Sequence, residues 1–285
     1  MSMTLSEISS MFGASASSGS TTSSLLGALY GYTSTNSSKS SVNPITALNS
    51  AERNQTQDIA ATAAEPAVAR AVNAFNTAVA KATSVQQLLS NPAVMQVLLT
   101  ANGLADQIPY TALARKALMS DTTNSNSLAN TLRDTRWKPV AQTYNFANKG
   151  LSIIQNPGVI STIDNAYAEV SWRKSLDATT PGLSNALTFR AKASGITLVD
   201  QILGDPIMRS VVTTALGIPL QIAFQPLRAQ EKAITSQLDI TQFQKPHFVD
   251  SFVQRYLITM NTNASTSTTT PSLASLAVQA HGLVV

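Results

Sequence analysis

NPAVMQVLLTANGLADQI, at residues 91–108, and DPIMRSVVTTALGIPLQI, at residues 205–222, align without a gap at a separation of 114 residues. Each begins with Asn or Asp, a good helix N-cap, and then has proline, which suits the first helical position because its missing N–H would have no partner there. Each also carries a glycine near its end, Gly103 or Gly217, where a helix commonly terminates in a left-handed residue. Both stretches are therefore predicted to be capped helices of about eleven residues.

The similarity continues on both sides of these helices. At the same separation, the matching pairs are Phe75 with Phe189, Thr83 with Thr197 and Tyr110 with Phe224. After a shift of two residues, KALMS at 116 aligns with KAITS at 232, and WKPVAQTYNF (137–146) resembles FVDSFVQRYL (248–257) more loosely. Chance similarity between two helical segments is the alternative, but we interpret the pattern as an internal duplication. Two units are fewer than an open solenoid needs, so the copies are expected to pack against each other.

The composition limits the chemistry and the setting of the protein. The chain has 285 residues and no cysteine, which excludes disulfides and thiolate catalysis. Only 12% of its residues are charged, about half the usual share, which is typical of a protein that is exported or packed into an assembly. The net charge is +4, but the basic residues are scattered, and even their densest group, RDTRWK at 133–138, indicates a solvated face. A nucleic-acid partner is therefore not predicted.

The distribution of residues along the chain predicts four segments. Residues 1–50 hold 22 Ser or Thr and two charged side chains, so this segment cannot build a core and is interpreted as an export or assembly tail. Neither a secretory signal nor a membrane span is predicted there. A first helical repeat at 51–156 and a second at 157–261 follow, with a low-charge tail at 262–285. The predicted fold is thus all-α, a duplicated helical module forming one compact core between low-complexity tails.

Both tails carry short apolar stripes at helical spacing. The stripes are Met1, Leu5, Ile8 and Phe12, and Leu273, Leu276, Ala280 and Leu283. Isolated helices of this length are marginal in water. We expect the tails to become helical only on assembly, and simple fraying of the two ends is the alternative.

The two histidines give little indication of a catalytic site. His247 precedes Asp250 by three residues, so a carboxylate could orient the imidazole, but a surface histidine at a helix start is the simpler interpretation. His281 lies in the C-terminal tail. No phosphate-binding loop, dinucleotide-binding turn, nucleophile elbow or zinc-binding helix motif is present.

The carboxylates and tryptophans also have structural interpretations. The pairs Asp121 with Asp134 and Asp200 with Asp205 could form an acid/base pair, but helix caps and turns explain them better. Trp137 and Trp172 are each followed by a basic residue, and both are expected in the core. The sequence therefore predicts no catalytic, cofactor-binding or metal-binding residue, and no enzyme.

Five segments carry a resemblance to a known family, and they occur in its order and spacing. They are NPAVMQVLLTANGL, SLANTLRDTRWKPVAQTYNF, LSNALTFRAKA, DPIMRSVVTTALGI and FVDSFVQRYL. Over residues 70–260 the chain resembles the bacterial domain-of-unknown-function family 1217. The resemblance implies an all-helical, alphaproteobacterial protein associated with flagellar genes, and it carries over no catalytic residue.

The resemblance also suggests a function for the unusual composition. Flagellar axial proteins leave the cell through the flagellar type III channel, which accepts an N-terminal segment that is not cleaved. We expect a non-enzymatic structural or assembly protein of the bacterial flagellum, with flagellar proteins or copies of itself as partners. The alternative is a cytoplasmic export chaperone or assembly regulator, and a hydrolase using His247 is a third possibility. Neither terminus matches flagellin, hook or rod proteins, so the place in the flagellum stays open.

Overall fold

The computed structural model describes residues 43–267, with side chains described as far as Thr262. This part of the chain is helical and contains no strand, so the all-α prediction is confirmed. The α-helices, numbered in chain order, are α1 (Pro44–Ala64), α2 (Pro66–Lys81), α3 (Val85–Ser90), α4 (Pro92–Ala101), α5 (Thr111–Leu118), α6 (Leu128–Thr131), α7 (Trp137–Tyr144), α8 (Phe146–Lys149), α9 (Pro157–Leu176), α10 (Leu183–Lys192), α11 (Val199–Gly204), α12 (Pro206–Leu216), α13 (Leu227–Thr235) and α14 (Pro246–Ser267). Short 3-10 helices lie at Ala105–Tyr110, Gly150–Ser152, Ala193–Gly195, Leu220–Phe224 and Ile240–Gln244.

The helical part begins before the predicted boundary at residue 51. Helix α1 starts at Pro44, because the side chain of Asn43 accepts a hydrogen bond from the N–H of Ile45 at 2.9 Å and caps the helix. Leu48 and Ala51 of α1 are buried, so the end of the segment predicted as a tail contributes to the core. Residues 1–42 and 268–285, with His281 and the two apolar stripes of the tails, lie outside the described residues.

The predicted helix starts are present in both copies. Helices α3 and α11 begin 114 residues apart, and so do α4 and α12. The side chain of Asn91 caps α4 by accepting the N–H of Ala93 at 2.9 Å. In the same way, Asp205 caps α12 by accepting the N–H of Ile207 at 2.8 Å. Each cap satisfies a backbone donor that would otherwise have no partner inside the helix.

The predicted helix ends are also present in both copies. Gly103 has φ 72° and Gly217 has φ 68°, both in the left-handed region. The next residue then returns a hydrogen bond to the last turn: the N–H of Leu104 donates to the carbonyl of Leu99 at 2.7 Å, and Ile218 to Thr213 at 2.8 Å. This is the Schellman arrangement, in which glycine avoids the steric cost that a Cβ would carry.

The looser third match, 137–146 with 248–257, is wrong. Helix α7 packs against α5 and α6, whereas α14 packs against α10 and α12. The helix that contacts α2 and α4 in the corresponding way is α9. Both α9 and α14 begin with proline, and their buried residues correspond at a separation of 89 residues: Ile163 with Phe252, Tyr167 with Tyr256, and Ala168 with Leu257.

This correspondence shows that the first repeat has an insertion. Residues 119–156, which include α6, α7 and α8, connect α5 to α9. In the second repeat, the much shorter segment 236–245 connects α13 to α14. The unequal connections explain why the 114-residue separation does not extend to the last helix of each repeat.

Two groups of buried apolar side chains make up the core. The first-repeat group contains Phe75, Leu98 and Trp137, and the second-repeat group contains Phe189, Val212 and Phe252. Helix α9 supplies Tyr167 to the first group and Trp172 to the second. The predicted boundary between the repeats at residue 157 therefore assigns this helix to the second repeat although part of it packs in the first. Helix α1 packs against α9, α10 and α14, and its Ile59 contacts both groups. These two long helices join the repeats.

A candidate binding cleft between the repeats

A cleft of about 650 Å³ lies where the first repeat meets the second. The end of α4, the 3-10 helix at Ala105–Tyr110 and Arg136 of the insertion line one side, while α9, α10 and the start of α12 line the other. Alanine, valine, proline and isoleucine side chains supply its apolar lining: Ala101, Ala105, Ala166, Val170, Pro206 and Ile207. Its volume is in the range of small-molecule sites. In such a site the charged and polar groups determine which ligand or reaction the site could support.

Arg136 is the most deeply buried charged side chain of the cleft, with only 6% of it exposed. Its guanidinium donates to both carboxylate oxygens of Asp106 at 2.9 and 2.8 Å, and to Asp134 at 2.6 Å through Nη2. Nη1 also donates to the carbonyl oxygen of Gly103 at 2.6 Å. The planar guanidinium thus joins the insertion to the end of α4, a role that lysine could not fill because it lacks the forked donors.

These contacts shift the pKa values of the groups involved. Burial by itself would lower the pKa of Arg136, but hydrogen bonds to Asp134 and Asp106 outweigh it and raise the pKa. Burial would raise the pKa of Asp106, but the hydrogen bonds from Arg136 and Gln107 and the charge of Arg136 together outweigh burial and lower the pKa. Both shifts favour the charged forms of Arg136 and Asp106, so this pair is suited to holding the chain together.

Helices α9 and α10 hold the second ionic group of the cleft. Arg173 donates to the carboxylate of Glu169 through Nη2 and to the hydroxyl of Thr188 at 3.3 Å through Nη1. Near the end of α9, Asp177 accepts the backbone N–H of Ser184 at 2.9 Å. Burial raises the pKa of Asp177, and the backbone N–H groups around it only partly offset that effect. Both arginines of the cleft are thus bound to carboxylates.

The structure does not bring His247 and Asp250 together as a catalytic pair. His247 is exposed at the second position of α14. The carboxylate of Asp250 contacts Arg190 of α10 at 2.9 Å, and the same arginine is paired with Glu52 of α1. Asp250 therefore acts as an ionic link between helices.

The other candidate carboxylates cap turns and helices or pair with cations. Asp121 accepts the N–H and the hydroxyl of Thr123 in a turn, and Asp134 pairs with Arg136. Asp205 caps α12 and lies 3.8 Å from the ammonium nitrogen of Lys192, whereas Asp200 is exposed in the first turn of α11.

Both tryptophans belong to the core, as expected, with 1% of Trp137 and 3% of Trp172 exposed. The interpretation of RDTRWK as a solvated face is wrong for Arg136. One signal in the sequence could have revealed the burial of Arg136. The Asp-x-Arg spacing places the carboxylate of Asp134 within reach of the guanidinium two residues later.

Within residues 43–267, no group of three or more His, Asp or Glu side chains is arranged to hold a metal ion. In the same part of the chain, no helix combines the length and the apolar character that a membrane crossing requires.

Comparison with known proteins gives a family and a fold. The sequence matches DUF1217, a family of proteins of unknown function, over residues 101–249. The fold is similar to the crystal structure of a protein from Agrobacterium tumefaciens, with a TM-score of 0.64 and 22% sequence identity over 75% of this chain and 91% of that chain. At this level of identity the similarity concerns the fold alone, and no curated protein matches the sequence. Because the family match spans more than half of the 285 residues, the chain belongs to the DUF1217 family of proteins of unknown function.

Proposed function

We propose that the protein is a non-enzymatic structural or assembly component of the bacterial flagellum, exported through the flagellar type III route. The resemblance described above suggests the flagellar setting. Absent cysteine, a low charged fraction and a Ser/Thr-rich N-terminal segment suit export in an unfolded form. The arrangement of ionic groups in the folded part supports a structural role.

The observation that carries the structural role is that the principal ionic groups link separate segments. Arg136 joins the insertion to the 3-10 helix after α4, and Arg173 joins α9 to α10. Arg190 joins α10 to α1 and α14. A catalytic acid, base or nucleophile needs a geometry that leaves it available to a substrate. These three arginines are bound within the fold, and their contacts join segments that are separate in the sequence.

The surface of the second repeat provides further support. Leu220 is 78% exposed and Phe224 is 89% exposed, in a protein with few charges to keep copies apart. Exposed large apolar side chains that lie close together commonly mark contacts with other proteins. An assembly component would bury such a surface.

Deletion of residues 2–40 tests the export route. Helix α1 begins at Pro44, so the deletion leaves every described helix intact. We expect the truncated protein to stay in the cell with a normal helical circular dichroism spectrum, whereas the intact protein appears outside in a strain with a working export apparatus. Deletion of 271–285 is the matched control and should leave export unchanged.

The same experiment separates the alternatives. Secretion of the 2–40 deletion at the normal level would refute the type III route. If the intact protein remains in the cytoplasm even when the export apparatus works, the export chaperone or assembly regulator becomes the better function.

A further inference from the structure

The carboxylates that line the cleft between the repeats are already engaged within the fold. Asp106 accepts hydrogen bonds from Arg136 through both of its oxygens, and Glu169 accepts one from Arg173. Asp177 accepts a backbone N–H at the start of α10, and burial raises its pKa and disfavours its charged form. Each of these carboxylates has a donor inside the protein, so the described lining of the cleft offers a cationic ligand no unpaired carboxylate.

Two lysines and one arginine of the same cleft keep donors without partners. Among the described residues, the ammonium group of Lys174 has no hydrogen bond or ion pair, and Nε of Arg173 is buried without an acceptor. The ammonium nitrogen of Lys192 lies 3.8 Å from a carboxylate oxygen of Asp205, which is too long for a hydrogen bond, and Asp205 already caps α12. Hydrogen bonds from cationic donors to an anion are among the strong ones. The unused hydrogen-bonding capacity of the cleft therefore favours an anion.

The cationic donors follow one wall of the cleft. Helices α9 and α10 run antiparallel along this wall, since Arg173 contacts Thr188 and the carboxylate of Asp177 contacts the start of α10. Lys192 lies about one turn after Thr188 on α10, so Arg173 lies between the two lysines along the wall. An anionic group held at Arg173 would therefore have a lysine on either side.

The rest of the lining is suited to an apolar body. Val170 lies about one turn before Arg173 on α9, and Ile207 lines the cleft from the start of α12. Ala101 and Ala105 line the opposite side. Removal of hydrocarbon from water against such side chains is favourable, so an inorganic anion would use only part of the cleft.

We infer that the cleft binds a small organic acid, with its anionic group at Arg173 between Lys174 and Lys192 and its apolar body against Val170 and Ile207. The cleft volume of about 650 Å³ suits a ligand of this class. Such a ligand supplies acceptors for the unused donors and leaves the existing ion pairs of the cleft in place. This binding site goes beyond the proposed assembly role and does not depend on it.

Fluorescence titration of the purified full-length chain with anilinonaphthalene sulfonate, a fluorescent aromatic anion, tests the inference. We expect saturable binding at one site per chain, with displacement by octanoate but not by octylamine or inorganic phosphate at the same concentration. Lys174→Gln should weaken binding about fivefold, as loss of a partly solvated ionic contact does. Val170→Trp should prevent binding by filling the cleft. Lys138→Gln, at an exposed lysine outside the cleft, is the matched control and should bind as the wild type.

Further results separate this site from other apolar surfaces. Phe224 is 89% exposed outside the cleft, so Phe224→Asp should leave binding unchanged, and loss of binding in this variant would overturn the inference. Displacement by octylamine or by phosphate as effective as that by octanoate would also overturn it, as would a wild type that does not bind the probe. Circular dichroism verifies the fold of each variant. If Val170→Trp does not fold, Lys174→Gln still decides, because its ammonium group has no partner in the fold and unchanged binding would contradict the inference.

Discussion

Replacing the glycine that ends the repeated helix in each copy should destabilise the fold through backbone conformation alone. Gly103 and Gly217 adopt φ 72° and φ 68°, and no described atom closer than 3.8 Å would meet an added Cβ at either position. A side chain at position 103 or 217 would therefore destabilise the fold through the left-handed backbone conformation and not through a steric clash. We expect alanine at either position to cost about 1–2 kcal/mol, and valine about 2–3 kcal/mol because a β-branched residue is more strongly disfavoured.

Urea denaturation followed by circular dichroism measures this cost, and thermal unfolding gives a second measure. For a folded part of this size, each kcal/mol corresponds to a decrease in Tm of about 2–4 °C. Gly195 is the matched control, since its φ is not in the left-handed region and it also has open space around the Cβ position. Alanine at Gly195 should change the free energy of unfolding by no more than about 0.5 kcal/mol. Valine at Gly217 within about 0.5 kcal/mol of the wild type would show that the glycine is not needed to end the helix.

Four further predictions concern two residues of the cleft and two turns of the chain. Asp177→Asn should stabilise the protein at neutral pH, because burial raises the pKa of Asp177 and disfavours its charged form. The gain should shrink as the pH falls towards the ordinary pKa of an aspartate. Asp239→Asn should have the opposite effect, since hydrogen bonds from Thr241 lower the pKa of Asp239 and stabilise its charged form; the loss at neutral pH should disappear on acidification. Arg136→Met should cost about 3 kcal/mol, because it leaves two carboxylates without their cation. Gly204→Ala should cost about 1–3 kcal/mol, since its Cβ would lie 2.9 Å from the carbonyl oxygen of Arg133.

Unfolding measurements over a pH series and at neutral pH check these predictions. Parallel pH profiles for the two Asn variants would contradict the assigned pKa directions. A loss below about 0.5 kcal/mol for Arg136→Met would show that the cluster does not stabilise the fold. For Gly204→Ala, a cost no larger than that of the same change at Gly195 would mean that the insertion is not packed tightly against the second repeat.

The local features of the repeat could be predicted from the sequence because they depend on few residues. A capping Asn or Asp, the following proline and a glycine about eleven residues later each constrain the backbone within one turn. Helical spacing in the sequence also indicates the buried face of α2, where Val68, Phe75 and Val79 recur at steps of seven and four and are all buried. These signals were sufficient for the fold class and for the two equivalent helices.

The correspondence of the last helices of the two repeats, and the contacts across the cleft, could not be predicted from the sequence. Trp137 and Phe248 both begin a stretch with aromatic residues at helical spacing, which any buried helix shares, so the match lacked a specific marker. The true correspondence of α9 with α14 depends on which helix contacts α4 and α12, and the insertion hides it by changing the separation. The cleft likewise depends on tertiary contacts, because Arg136 and Asp106 are 30 residues apart in sequence.

Detection of this protein in purified flagella is the most direct test of the proposed function. Flagella are sheared from the native host, purified and probed with an antibody against the folded part, and the same fraction from a strain that lacks the export apparatus serves as the control. The proposed function predicts a constant amount of the protein per flagellum in the first preparation and none in the second. A protein confined to the cytoplasm of cells that assemble normal flagella would contradict it.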